Sequence, residues 1–296
     1  MKPAIEQLLP GFQKQEVQTK DVRFAVMTGG KGLPVLLLHG YPETMAAWHR
    51  VAPELAPFYS VVVSDLPGYG RSRVTSNPVD AGSKRHMAAS LVELMHALDH
   101  PDKVLGLVSV TVVPTPEMWE GTSKAFGMGA WHWFMLAQPE PLPEMLLSGN
   151  PHFMIDTTLQ KMAHGLDKLD PLALADYREA FESAEVRHWI CEDYRAGAGL
   201  DEADDLADRA ARRRIHAPVL VFWEEGRRYG GGREPLDIWA DWATNVEGEG
   251  LAGGHLLPET AAGPYWFGSS RFFMKLLPVH QLWNSNIFVR VRFDLI

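Results

Sequence analysis

The chain has 296 residues and a mass of 33.1 kDa, enough for one large α/β domain and far above the size at which a hydrophobic core becomes marginal. Apolar residues make up 46% and charged residues 22%, the balance of a folded globular protein, while 28 basic against 37 acidic residues leave a formal charge of −9 that argues against nucleic acid as a partner. A single cysteine, Cys191, excludes an internal disulfide and a cysteine-only zinc site, and no stretch approaches the ~20 apolar residues of a membrane span, so a cytoplasmic location away from the membrane is expected.

Residues 12–27 alternate apolar and polar side chains around a Thr-Lys-Asp turn, which predicts an antiparallel hairpin. Pro34 to Gly40 is a continuous apolar run of the kind buried on both faces of a parallel sheet, and Ser60 to Ser64 is a second. Between them Trp48, Val51, Leu55 and Phe58 fall at helical spacing, giving a strand, helix, strand unit over residues 34–64. Residues 88–98 predict an amphipathic helix, 104–113 a buried strand and 218–223 another. The stretch 115–216 has a different texture, first Trp-, Met-, Pro- and His-rich and then helical with many charges, and is read as a helical insertion packed on the sheet. Acidic pieces such as Asp201 to Asp208 and Glu247 to Glu249 read as solvated faces. From Gly263 the character changes to aromatic, basic and strand-like, with a strand over residues 287–295. The chain thus divides into residues 1–114 (core, first part), 115–216 (helical cap), 217–262 (core, second part) and 263–296 (an atypical tail), within a doubly wound, mostly parallel α/β architecture.

Two strand ends carry motifs. The first reads His39-Gly40-Tyr41-Pro42-Glu43-Thr44 at the carboxyl edge of the sheet, where open α/β sheets place ligands and where backbone amides can face a cleft. The second reads Asp65-Leu66-Pro67-Gly68-Tyr69-Gly70-Arg71-Ser72, a glycine-rich turn that alone is weak evidence. Together with Trp48 on the intervening helix they resemble the α/β-hydrolase superfamily, in its haloacetate (fluoroacetate) dehalogenase and epoxide hydrolase branch. The insertion agrees: Trp131-His132-Trp133-Phe134 and Cys191-Glu192-Asp193-Tyr194-Arg195 are similar to segments of haloacetate dehalogenase caps. The resemblance implies that His132, Trp133 and Tyr194 donate hydrogen bonds to a departing halide, which imidazole, indole and phenol can do in a dry pocket. It implies that His255, in Gly253-Gly254-His255-Leu256-Leu257-Pro258-Glu259, is the catalytic histidine, and that His39, Gly40 and Tyr41 form the oxyanion or cleft loop. It implies no metal and no organic cofactor. The partner expected is a small-molecule substrate, a short haloacid, with a homodimer as the assembly to test for. His86, His96, His164 and His280 carry no such context and read as surface or packing residues.

Such an enzyme needs a nucleophile on a sharp strand-to-helix turn, G-x-S-x-G or a G-x-D-x-G variant, and the chain contains neither. Between Ser72 and the strand at Val104 the family places two helices, a strand and the elbow, roughly fifty residues at ordinary element lengths, whereas here one helix fits. The nucleophile elbow is therefore read as deleted and the sheet as lacking one central strand, with the strand from Val104 a candidate for the empty slot. Thr111 stands where the resemblance implies the acid that orients the histidine, and a threonine cannot carry that negative charge. The expectation is a haloacetate dehalogenase-type hydrolase, acting through an aspartyl ester, whose activity is impaired or absent for want of the aspartate. An epoxide hydrolase-like enzyme, and a non-catalytic or vestigial binding protein or truncated gene product, are the alternatives.

Overall fold

The computed structural model describes residues 5–76, 78–100, 104–229, 231–275 and 288–293. Its strands are β1 (Gln13–Gln18), β2 (Val22–Gly29), β3 (Leu33–Leu38), β4 (Tyr59–Ser64), β5 (Arg73–Val74), β6 (Val104–Val110), β7 (Val219–Glu224), β8 (Val246–Leu251) and β9 (Phe288–Phe293). They form one sheet in the order β1-β2-β4-β3-β9-β6-β7-β8, with β5 paired to the side of β2. The predicted hairpin is β1 and β2, antiparallel with Val17 opposite Phe24. From β4 to β8 neighbouring strands are parallel. The apolar runs seen in the sequence fill this parallel part. Val35 to Leu38, Val61 to Val63, Val108 and Val219 to Phe222 are all buried, each large side chain contributing about 1.5–3 kcal/mol relative to exposure.

The residues expected as one helix after β3 form a 3-10 turn, Met45–Trp48, and a short helix, Ala52–Leu55. Thr44 caps the first by accepting from the Ala46 amide at 3.2 Å. Pro53 fits at the start of the second, where its missing N–H costs nothing. The amphipathic helix begins earlier than predicted and covers Lys84–Ala97, with Ser83 as its cap accepting from the His86 amide at 3.1 Å.

Three expectations are corrected. The sheet is not one strand narrower, and β6 does not move beside β3. Instead β9, from the tail, lies parallel between them, with Val291 opposite Leu37 on one side and Val108 on the other. Two unpaired inner edges are the reason: with no strand between them, β3 and β6 each offer a row of backbone donors and acceptors that the tail strand satisfies. The first part of the tail is a helix, Ala262–Lys275, which lays Tyr265 and Phe272 into the core, Tyr265 5.1 Å from the Phe222 ring. Glu247 to Glu249 lie in β8, an edge strand along β7, in which Gly248 has no room for a side chain against the Val221 carbonyl and Gly250 packs closely on Trp223. Residues 287, 294 and 295 of the predicted final strand, and His280, lie outside the described residues.

Between β6 and β7 the chain is helical, from Thr115–Glu120 to Leu200–Ala210. Buried polar ties join this segment to the strand-end loops. Asp176, on helix Pro171–Glu182, accepts from Thr44 Oγ1 at 2.5 Å and holds the Arg71 guanidinium through both carboxylate oxygens. Asp193, on helix Ala184–Gly197, accepts from Tyr69 Oη at 2.6 Å and pairs with Lys84, which also reaches Asp201 at 3.1 Å. Asp201 is therefore buried and ion-paired, not a solvated face. Among the described residues no helix is long and apolar enough to cross a membrane.

Candidate active site

At the carboxyl end of β3, His39 is fully buried and both ring nitrogens are engaged. Its Nδ1–H donates to the Gly40 carbonyl at 3.0 Å, and its Nε2 accepts from the Leu66 amide at 3.1 Å, which fixes the tautomer. Burial pushes its pKa down to about 4, so it works as a neutral bracket between the two strand-end loops. Beside it Asp65 accepts from the amides of Met45 and Arg71, each at 2.7 Å. Burial nonetheless raises its pKa to about 6, the Arg71 charge and the two amides opposing. Gly70, at φ +50°, presses against this carboxylate where any side chain would collide.

A cavity of about 390 Å³ opens between the helical segment and the sheet edge. It brings together four of the residues singled out from the sequence: His132, Trp133, Tyr194 and His255. Trp133 meets Tyr194 edge to face at 5.5 Å, and His132 lies 6.0 Å from Tyr194. His132 is 8% exposed and its Nε2 is buried with no hydrogen-bond partner among the described residues. Burial, with the nearby His255 and Lys161 charges adding to it, lowers its pKa to about 3, so this imidazole is neutral at physiological pH. His39, Gly40 and Tyr41 do not line the cavity. Tyr41 instead stacks on His132 at 5.6 Å and meets Tyr194 at 5.3 Å, supporting the cluster from outside. Cys191 is buried, and burial pushes its thiol up to about 12.

His255 sits on the loop after β8, its amide donating to the Met162 carbonyl at 2.8 Å. Thr111, at the end of β6, takes up a left-handed backbone at φ +58°, strained for a β-branched residue. Its hydroxyl lies 3.0 Å from the His255 carbonyl and 2.8 Å from that of Val110, and its own carbonyl accepts from Tyr229 Oη at 2.9 Å. The uncharged hydroxyl thus contacts the backbone of the histidine loop.

The cavity wall also includes Lys161, His164, Glu224, Arg227 and Tyr229, which sequence reasoning missed. Glu224 had a usable signal, since it ends an apolar strand at the sheet edge where ligands collect. His164, exposed at the surface as the sequence suggested, lies 3.1 Å from it. Away from the cavity, the motif glutamates Glu43 and Glu259 form a buried pair. Their side chains are hydrogen-bonded to each other, and Glu259 Oε1 accepts from Tyr177 Oη at 2.6 Å. Among the described residues no group of three or more His, Cys, Asp or Glu is placed to hold a metal ion.

A doubly wound sheet with strand-end loops, a histidine after the edge strand β8 and a helical segment roofing the cavity defines a hydrolase-type scaffold. Comparison with known proteins agrees. The family model described as alpha/beta hydrolase fold matches residues 34–106. Fluoroacetate dehalogenase from Burkholderia sp. is 35% identical over 276 residues, covering 84% of this chain and 89% of the relative. A solved Pseudomonas aeruginosa structure, provisionally assigned as an epoxide hydrolase, gives a TM-score of 0.86 at 43% identity over 90% of this chain and 97% of that one. A threonine-to-aspartate mutant with the same assignment and organism, solved with bound MFA, gives a TM-score of 0.86 at 42% identity over 90% and 97% of the two chains. The chain belongs to the α/β-hydrolase family, among relatives that include fluoroacetate dehalogenase and epoxide hydrolases.

Proposed function

We propose that this protein is a haloacetate dehalogenase-type hydrolase whose cavity binds a short 2-haloacid, and that its turnover is weak or absent. The observation that carries the reading is the gathering of His132, Trp133, Tyr194 and His255 around one cavity, with a neutral His132 whose Nε2 is buried without a protein partner. Indole, phenol and imidazole groups in such a site suit a small halide leaving carbon. His255 would serve as the base that activates water against an ester.

Two features support impaired turnover. Displacement at carbon through an ester needs a carboxylate nucleophile, and the one carboxylate lining the cavity among the described residues, Glu224, is engaged by His164. The orienting acid is replaced by the neutral Thr111, whose hydroxyl faces backbone carbonyls. An epoxide hydrolase would need phenol donors in the cavity, and of Tyr194 and Tyr229 the latter already donates to the Thr111 carbonyl.

The test is halide release from fluoroacetate and chloroacetate by the purified chain and by His255→Ala, with chloride binding followed by tryptophan fluorescence. The expected result is no His255-dependent release, together with chloride binding that is lost in His132→Ala. Robust release abolished in His255→Ala would overturn the impairment and require a nucleophile elsewhere in the chain. Absence of chloride binding in the folded chain would sink the halide site.

A further inference from the structure

The cavity wall carries two cations that no carboxylate among the described residues pairs with. Lys161 comes from helix Pro151–Met162 and donates to the Gly129 carbonyl, while Arg227 follows β7 and stands 5.4 Å over the Tyr229 ring. Neither has an ion-pair partner among the described residues, although the neighbouring arginines do: Arg228 pairs with Glu234 and Arg233 with Asp241 at 2.6 Å. Both cations are exposed, so they stand at the open side of the cavity, and they approach it from different parts of the fold, one from the helical segment and one from the sheet edge. Inside, the buried His132 Nε2 has no hydrogen-bond partner among the described residues. Tyr229 is fixed by its bond to the Thr111 carbonyl, so the ring under Arg227 is a rigid platform for the guanidinium.

We propose that Arg227 and Lys161 are the carboxylate-recognition pair of this cavity, so that it takes a short organic acid as its monoanion. The proposal rests on the reading of the cavity as a small-acid site and adds the residues that select the charged end. A guanidinium presents a planar fork that matches a carboxylate through two parallel hydrogen bonds, and an ammonium lining the same cavity adds a second charge-assisted contact. Glu224 contributes one negative charge to the same wall, which disfavours a dianion. The ligand's other end then reaches the aromatic and imidazole cluster around His132.

The experiment is calorimetric titration of the full chain at low ionic strength with acetate, chloroacetate, malonate, acetamide and chloride, repeated on Arg227→Gln, Arg227→Lys and Lys161→Gln. Both side chains are exposed, so the variants should fold, and thermal melts check this. Acetate and chloroacetate are expected to bind, acetamide and malonate much more weakly. Arg227→Gln should weaken acetate by about tenfold to a hundredfold, Arg227→Lys and Lys161→Gln by less, as befits charge-assisted hydrogen bonds. Chloride binding should be unchanged in Arg227→Gln. Acetate affinity indifferent to both Arg227→Gln and Lys161→Gln, equal binding of acetamide, or no acetate binding by the folded chain would each overturn the proposal. The halide reading fails separately: if chloride does not bind while acetate still binds through Arg227, the carboxylate pair stands and the halide site falls.

Discussion

The buried pair Glu43 and Glu259 makes a quantitative prediction about pH. Glu259 has no solvent exposure, its Oε1 accepts from Tyr177 Oη at 2.6 Å, and Arg50 donates to its backbone carbonyl at 2.6 Å. Burial raises the Glu259 pKa from 4.5 to about 7, which keeps a proton on this pair of carboxyl groups. The Tyr177 and Glu43 contacts and the Arg50 charge pull the other way, the Asp170 charge with burial, and His49 Nδ1 stands 4.0 Å from Oε2. Because the folded value exceeds the unfolded one, the folded state holds the extra proton between these limits. Its contribution is therefore fully present below pH 4.5 and lost as pH rises through 7. The rise from 4.5 to about 7 is worth about 3 kcal/mol. Glu259→Gln keeps the shape, supplies an N–H donor to Glu43 and removes the titration. His39 and His132, held near 4 and near 3 by burial, oppose this trend, since their depressed values remove stability as pH falls below 6.5. They act equally in both proteins, so the difference between parent and variant isolates Glu259. Urea unfolding at about pH 5 and about pH 8 should show the variant gaining about 3 kcal/mol on the parent at the higher pH. Identical pH slopes in the two proteins would refute the shared proton.

Three further predictions concern what holds the fold. Lys84→Met strands Asp193 and Asp201 as buried uncompensated carboxylates and should cost about 3–5 kcal/mol in urea unfolding, partly restored by adding Asp193→Asn and Asp201→Asn; a loss under about 1 kcal/mol would contradict the role given to this ion pair. Gly70→Ala places a side chain on a left-handed backbone against the Asp65 carboxylate, and should lower stability by at least about 2 kcal/mol, which a thermal melt reads directly. A chain ending at Lys275 lacks β9, so hydrogen exchange in peptides covering β3 and β6 should accelerate relative to the full chain; unchanged protection would mean that the tail does not complete the sheet.

What could be read from the sequence follows from where the controlling interactions lie. The runs that became β3, β4, β6 and β7 are apolar on both faces because both faces are covered, so their composition announces burial without knowledge of the partners. β8 escaped notice for the opposite reason: Glu247 and Glu249 on an edge strand and glycines under Trp223 remove the local signal, and only β7 beside it explains the pairing. Among site residues, His132, Trp133, Tyr194 and His255 were found because each sits inside a local motif. Lys161 and Arg227 sit in none, and Glu43 and Glu259 lie in two motifs more than two hundred residues apart, so their pairing exists only in the folded chain. The tail shows the limit most clearly. Alternation over its last residues predicts a strand, but which strands it joins depends on the two edges that β3 and β6 leave open. The same segment beside an already paired sheet would have been an outer strand or none, so its central position is decided by the pairing it satisfies rather than by its own composition.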